Sequence, residues 1–192
     1  MFKADLCRVA YLSLHGGYYF DVDVLVVRPY VAPKNATFVT VKQWEPYGTF
    51  RGFFQAFLAA ERDNPIVRLS LRMMLETLSG ARQPVSDLYL GPGSLVEAWM
   101  DVQNVTDLSN ARNHDYNDTH LLREVNLEAQ PHPRGSDLLQ RVPAGHRDDC
   151  MLSTGSWHVC SYVVLDDDDE SLYFYSRVLG TAFCGVCTSP AL

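Results

Sequence analysis

Apolar positions recur along the chain in patterns that change from one stretch to the next. In residues 3–14 (KADLCRVAYLSL), Leu6, Val9, Ala10 and Leu14 fall at helical spacing. Gly16-Gly17 supplies the stop, because glycine accepts the left-handed backbone that follows a last helical turn. Residues 18–27 (YYFDVDVLVV) are aromatic and β-branched and predict a strand, ended by Arg28-Pro29. Residues 38–44 (FVTVKQW) predict another. Residues 53–79 carry a helical pattern interrupted at Asp63-Asn64-Pro65, which reads as a helix end, an N-cap and a proline in the first position of the next helix. Leu90-Gly91-Pro92-Gly93 reads as a loop, with Ser94 capping a further helix and Glu97 three residues on. Residues 101–149 are polar and predict loops with short elements. Residues 157–165 and 171–179 predict two strands, with Asp166–Glu170 as the turn between their apolar flanks YVVL and LYFY. With no internal repeat and no linker, the expectation is a single domain over residues 1–192.

Composition narrows this picture. At 192 residues, 47% apolar and 20% charged, the chain has the make-up of an ordinary globular domain with a sizeable core. No apolar run approaches the roughly 18 residues of a membrane span, and no secretory signal stands at the start. A formal net charge of -7 argues against nucleic acid as a partner. An anionic ligand would need a cation or a local basic patch. Four of the five cysteines, Cys150, Cys160, Cys184 and Cys187, crowd toward the C-terminus, while Cys7 stands apart. Two disulfides among the four are favoured over a structural zinc site, because the Cys150–Cys160 spacing is looser than a zinc knuckle's; free thiols are the third option. Asn35-Ala36-Thr37, Asn104-Val105-Thr106 and Asn117-Asp118-Thr119 are glycosylation sequons and lend mild support to a secretory compartment.

The chemistry concentrates between Asp5 and Asp23. Asp5 and Arg8 are three apart on the predicted helix and share a face. Tyr19, Asp21 and Asp23 alternate on the predicted strand and share one too, which points Val22 toward the core. The glycine pair turns one element sharply into the other, so the two polar faces meet over one cleft. Carboxylates side by side repel each other. A hard divalent cation resolves the repulsion through oxygen ligands and keeps positions open for phosphate oxygens. It then neutralises charge developing on a leaving diphosphate. A lone Asp-x-Asp is common and mostly solvated; the apolar helix, the double glycine and the aromatic strand start around this one carry the reading. Rival chemistries lack their signatures. The six histidines form no H-E-x-x-H, Ser153 and Ser156 near His158 sit in no G-x-S-x-G, and there is no P-loop. Asp166–Glu170 reads as a solvated turn rather than a calcium site. Trp44 and Trp99 read as core or cleft-wall residues.

The run DLCRVAYLSLHGGYYFDVDV resembles the signature of the DXD-motif sugar transferases, a family that includes Golgi mannosyl- and galactosyltransferases and is similar to the glucosylating domains of bacterial toxins. Asp5, Arg8, Leu12, Gly16, Gly17, Tyr19, Asp21 and Asp23 fill the family pattern without a gap. Residues 53–67 (FFQAFLAAERDNPIV), LGPGSLVEA (90–98) and Thr154-Gly155-Ser156-Trp157 are similar to later family segments, the last more thinly. The resemblance implies an α/β, GT-A-like fold and retaining transfer of a hexose from a nucleotide-sugar donor to a glycan, lipid or protein acceptor. It implies Mn2+ (or Mg2+) as cofactor, held by Asp21 and Asp23 as catalytic and metal-binding residues. It assigns donor contacts to Asp5, Arg8, Tyr19, Ser156 and Trp157. Family members often carry Asn where Gln55 stands, and a His shortly before the Gly-Ser-Trp. Here His146 and His158 are out of register, so a third metal ligand stays unassigned. GT-A enzymes open with a base-binding βαβ unit, whereas only four residues precede Asp5. The expectation is therefore an N-terminally incomplete catalytic domain of a Golgi or other secretory type II membrane protein, its anchor in a missing N-terminal segment. The alternative is a non-catalytic glycan- or nucleotide-binding relic of the same fold.

Overall fold

A computed structural model describes residues 2–22, 24–26, 29–42, 52–83, 90–106, 115–126, 162–165 and 172–176. It is a mixed α/β structure. Among the described residues the elements run α1 (Phe2–His15), β1 (Gly17–Phe20), β2 (Val24–Val26), β3 (Phe38–Lys42), β4 (Phe53–Ala60), α2 (Pro65–Leu78), α3 (Leu90–Gln103), β5 (Asp115–Tyr116), β6 (Thr119–Asn126), β7 (Tyr162–Leu165) and β8 (Leu172–Ser176). None of these helices is long and apolar enough to cross a membrane.

The strands join in one sheet of order β1-β4-β3-β6-β7-β8-β2, with β5 paired to β6. Only β3 and β6 run parallel; the other neighbours are antiparallel. β1 and β2 stand at opposite ends of this order, yet three residues separate them in the chain. Five consecutive Cα atoms span at most about 15 Å. The sheet therefore curls until Phe20 at one end and Val24 at the other come within one short connection of each other.

The helices cover one face. Val9 and Leu12 of α1, Ile66, Val67, Met73 and Met74 of α2, and Leu95 and Trp99 of α3 bury against Phe38, Phe53, Leu58 and Leu121 of the sheet. Trp99 is fully buried, stands edge-on to Phe53 at 5.7 Å, and donates its indole N–H to Thr119 Oγ1 at 3.2 Å. A buried indole needs such a partner. On the opposite face Val39, Val41, Phe57, Ala59 and Leu122 form a second cluster, against which Tyr18, Phe20, Tyr30, Ala32 and Ala36 pack.

Helix α1 forms as the spacing predicts, and Gly16 and Gly17 close it with φ of 67° and 99°. An added Cβ at Gly16 would lie 2.6 Å from the Arg62 nitrogen, so this corner accepts no side chain. Asn64 caps α2 as expected. Its Oδ1 accepts from the backbone N–H of Ile66 at 3.0 Å and of Val67 at 3.4 Å, with Pro65 next in the chain. The hairpin of β7 and β8 is present where two strands are predicted.

Four expectations fail. Residues 53–60 are a strand, not a helix: nearly every position of FFQAFLAA is buried, and a run apolar on both sides has no period by which to tell the two apart. The 18–27 strand breaks after Phe20, where Val24 N–H donates to Asp21 C=O at 3.0 Å and closes a turn; Val22 is 59% exposed there rather than in the core. Leu90–Gly93 begins α3 instead of preceding it, so Ser94 is a buried helix residue and not a cap. Finally, β6, at eight residues, is a longer strand than the short elements expected among the loops of 101–149. Trp44, the four C-terminal cysteines and Asp166–Glu170 lie outside the described residues, and Cys7 is exposed. Of the sequon residues, Asn35 and Asn104 are exposed, whereas Thr119 is buried beneath Trp99.

Candidate functional site

The pairing of β3 with β4 contains a large irregularity. A step of two residues on β3, Val39 to Val41, faces a step of five on β4, Ala59 to Phe54. The surplus falls on Gln55 to Leu58. Strand bulges free backbone groups from the ladder and re-aim them; here two carbonyls of this stretch hold the site, that of Ala56 by continuing the β1 ladder and that of Gln55 by turning to Arg8. Ala56 C=O accepts from the Asp21 N–H at 2.8 Å. Gln55 C=O accepts from Arg8 Nη1 at 2.7 Å.

Arg8 is the hub. Its Nη2 meets Asp5 Oδ1 at 3.1 Å across one turn of α1, and its Nη1 lies 3.3 Å from Asp21 Oδ1. Its Nε contacts Ala4 C=O at 3.5 Å, and its guanidinium carbon lies 4.8 Å from the Tyr19 ring centroid. Tyr19 donates its hydroxyl to Asp21 Oδ1 in a hydrogen bond. One positive charge is thus shared between two carboxylates and backed by an aromatic face.

Exposure separates the two acids. The Asp5 side chain is 11% exposed and that of Asp21 31%. Burial pushes the Asp5 carboxyl above its usual range; Arg8 opposes the rise and the nearby Asp21 charge adds to it. The first turn of α3 closes the floor. A Cβ built on Gly91 would lie 2.6 Å from Gln55 Oε1 and 2.7 Å from Asp5 Cβ and Cγ, so only glycine lets the helix approach this closely. Both amide atoms of the Gln55 side chain are buried there with no hydrogen-bond partner among the described residues.

The structure brings together Asp5, Arg8, Tyr19 and Asp21, four of the residues picked from the sequence. Asp23, Ser156 and Trp157 lie outside the described residues. Among the described residues no group of three or more His, Cys, Asp or Glu side chains is arranged to hold a metal. Asp21 nonetheless suits a hard cation. It is an oxygen donor reachable from solvent, in a cluster where two acids outnumber one base. Asp23, donor phosphates or water would have to supply the remaining ligands. The parts that sequence reasoning did not find are the Gln55 carbonyl, the Gln55 amide and Gly91. The hints in the sequence are Gln55 standing where relatives often carry Asn and the family-like LGPGSLVEA segment that contains Gly91.

No curated protein matches the chain. A solved structure described as PaToxG Glycosyltransferase aligns with a TM-score of 0.43 and 22% identity, over 53% of this chain and 35% of its own. The chain thus spans about a third of that protein. Residues 1–46 match the family model described as "Glycosyltransferase sugar-binding region containing DXD motif". Over the segment that carries α1, the double glycine and Asp21, this chain is therefore similar to a DXD-motif glycosyltransferase sugar-binding region, in agreement with the resemblance read from its sequence.

Proposed function

We propose that the chain is part of a GT-A-like glycosyltransferase that moves a hexose, with retention, from a nucleotide-sugar donor to a glycan, lipid or protein acceptor. The observation that carries this reading is the convergence of Asp5, Arg8, Tyr19 and Asp21 on one cluster, although they come from a helix, a strand and a turn. Asp21 and Asp23 would hold Mn2+ or Mg2+, which supplies charge neutralisation for the departing diphosphate. Asp5, fixed by Arg8, offers a carboxylate acceptor for sugar hydroxyls. Tyr19 donates a hydrogen bond to the Asp21 carboxylate. Ser156 and Trp157 would close over the diphosphate. Transfer would proceed by attack of the acceptor on the face the leaving phosphate vacates, a reading drawn from the family resemblance. A secretory lumen is the matching compartment.

The test is a Mn2+-dependent donor-hydrolysis screen over several nucleotide sugars, with Asp21→Asn as control. Turnover of one donor, lost by at least about a hundredfold in Asp21→Asn with an unchanged melting temperature, is the expected result. Equal turnover in the variant would refute the assignment of Asp21. Donor binding with no turnover of any donor would favour the non-catalytic relic.

A further inference from the structure

We propose that Arg8 is a resident counter-ion for the cation site, a positioning residue that holds Asp21 in the cation's absence and must yield that carboxylate when a divalent ion binds. The inference rests on the reading of Asp21 as a metal ligand and adds a competitor for it.

Geometry supplies the argument. Arg8 Nη1 lies 3.3 Å from Asp21 Oδ1, the same oxygen that accepts the Tyr19 hydroxyl. The other oxygen, Oδ2, lies 3.5 Å from the same nitrogen. Both carboxylate oxygens are therefore engaged from the Arg8 side. A divalent ion coordinated by either would sit within a few ångströms of a guanidinium, and like charges at that range repel strongly in a partly buried site. Arg8 cannot move away. Its Nη2 is tied to Asp5 at 3.1 Å, its Nη1 to the Gln55 carbonyl at 2.7 Å, and its side chain is 8% exposed. The mobile partner is Asp21, one-third exposed and placed at a turn between two strands. So the carboxylate swings and the guanidinium stays, keeping a fixed positive charge beside the ion, where an anionic ligand such as a diphosphate binds both. Arg8 then weakens the ion bound alone and favours the ion bound with an anion.

The experiment measures Mn2+ alone, with no donor, through the free-ion electron paramagnetic resonance signal, in the full chain and three variants. Arg8→Gln should tighten Mn2+ binding by at least about tenfold, as removal of one charge at this range predicts. Arg8→Lys, which keeps the charge, should bind within about threefold of the native chain. Asp21→Asn should lose binding. Equal or weaker binding in Arg8→Gln, with Asp21→Asn still deficient, overturns the counter-ion role and leaves the metal assignment standing. Native-like binding in Asp21→Asn overturns the metal assignment itself. Because Arg8→Gln leaves Asp5 buried without its partner, melting temperatures are recorded alongside. If that variant does not fold, the native chain decides: Mg2+ should change the Nη resonances of one arginine by 15N NMR, a change absent from Asp21→Asn, and no arginine responding would overturn the proposal.

Discussion

Gly91→Ala tests whether the floor of the site sets the position of Asp5. The added methyl would lie 2.7 Å from Asp5 Cβ and Cγ, and ordinary contact begins at 3.4 Å, so something must move by about 0.7 Å. Gln55 Oε1, at 2.6 Å, ends a flexible side chain but is sealed in the interior. Asp5 sits on α1 and is tied to Arg8, so the displacement passes to the pair. Overpacking of this kind costs about 1–3 kcal/mol, while alanine for glycine inside a helix returns about 1 kcal/mol. The net loss of stability should stay below about 2 kcal/mol. Activity should suffer more, since a shift approaching 1 Å in a binding group costs on the order of a hundredfold. The predicted result is a fall in donor turnover of roughly tenfold to a hundredfold with a melting temperature lowered by less than about 8 °C. Gly80→Ala is the control. Gly80 has φ of 77° after the end of α2 and nothing within 4 Å, so alanine there is strained by conformation rather than by space, at about 1–2 kcal/mol. It should lower the melting temperature and leave turnover alone. If Gly91→Ala keeps turnover within about twofold of the native chain, or if Gly80→Ala loses it equally, the contact between α3 and Asp5 does not govern the site.

Two stability predictions follow from the described hydrogen bonds. Asn64→Ala removes the cap of α2 and the Asn64 Nδ2 bonds to Thr37 C=O at 3.2 Å and Oγ1 at 3.1 Å, so it should cost about 2 kcal/mol, a drop of about 4–8 °C by differential scanning calorimetry. Burial raises the Asp118 carboxyl, but hydrogen bonds from Thr37 Oγ1 and Gln103 Nε2 outweigh it and hold the group below its usual range. Its stabilisation is present above the unfolded value of about 3.9 and is lost as pH falls through the folded value. Urea unfolding should therefore show Asp118→Asn less stable than the native chain at pH 7, with the gap narrowing below about pH 4; a constant gap would count against the pairing.

Much of the site was legible because it is local. Asp5 and Arg8 are one turn apart, Tyr19 and Asp21 are two residues apart, and a glycine corner that admits no Cβ fixes the angle between them. Period and turn chemistry suffice for such distances. The Asn64 cap and Pro65 were legible for the same reason. What sequence did not reveal is set by burial and pairing. Residues 53–60 lie between two other strands with both faces covered, which erases the alternation that marks a strand. The surplus residues of β4 that point the Gln55 carbonyl at Arg8 depend on register with β3, and no pattern within β4 encodes that. The opening of α3 misled because Gly-Pro-Gly ordinarily punctuates loops. Here glycine is required by close approach to Asp5, and proline sits in a first turn that has no use for its missing N–H.

The residues that match the sugar-binding-region family model all lie before residue 47, yet that segment is not a self-sufficient module. β1 gains its hydrogen bonds from β4, and β2 gains its own from β8, formed by residues 172–176. The acidic turn is a seam stitched from both sides by chain that arrives much later. Residues 1–50 carry Asp5, Arg8, Tyr19, Asp21 and Asp23 but lack β4 and β8, the strands that pair with β1 and β2. Damage to the distant C-terminal hairpin therefore reaches the acids without touching one of them.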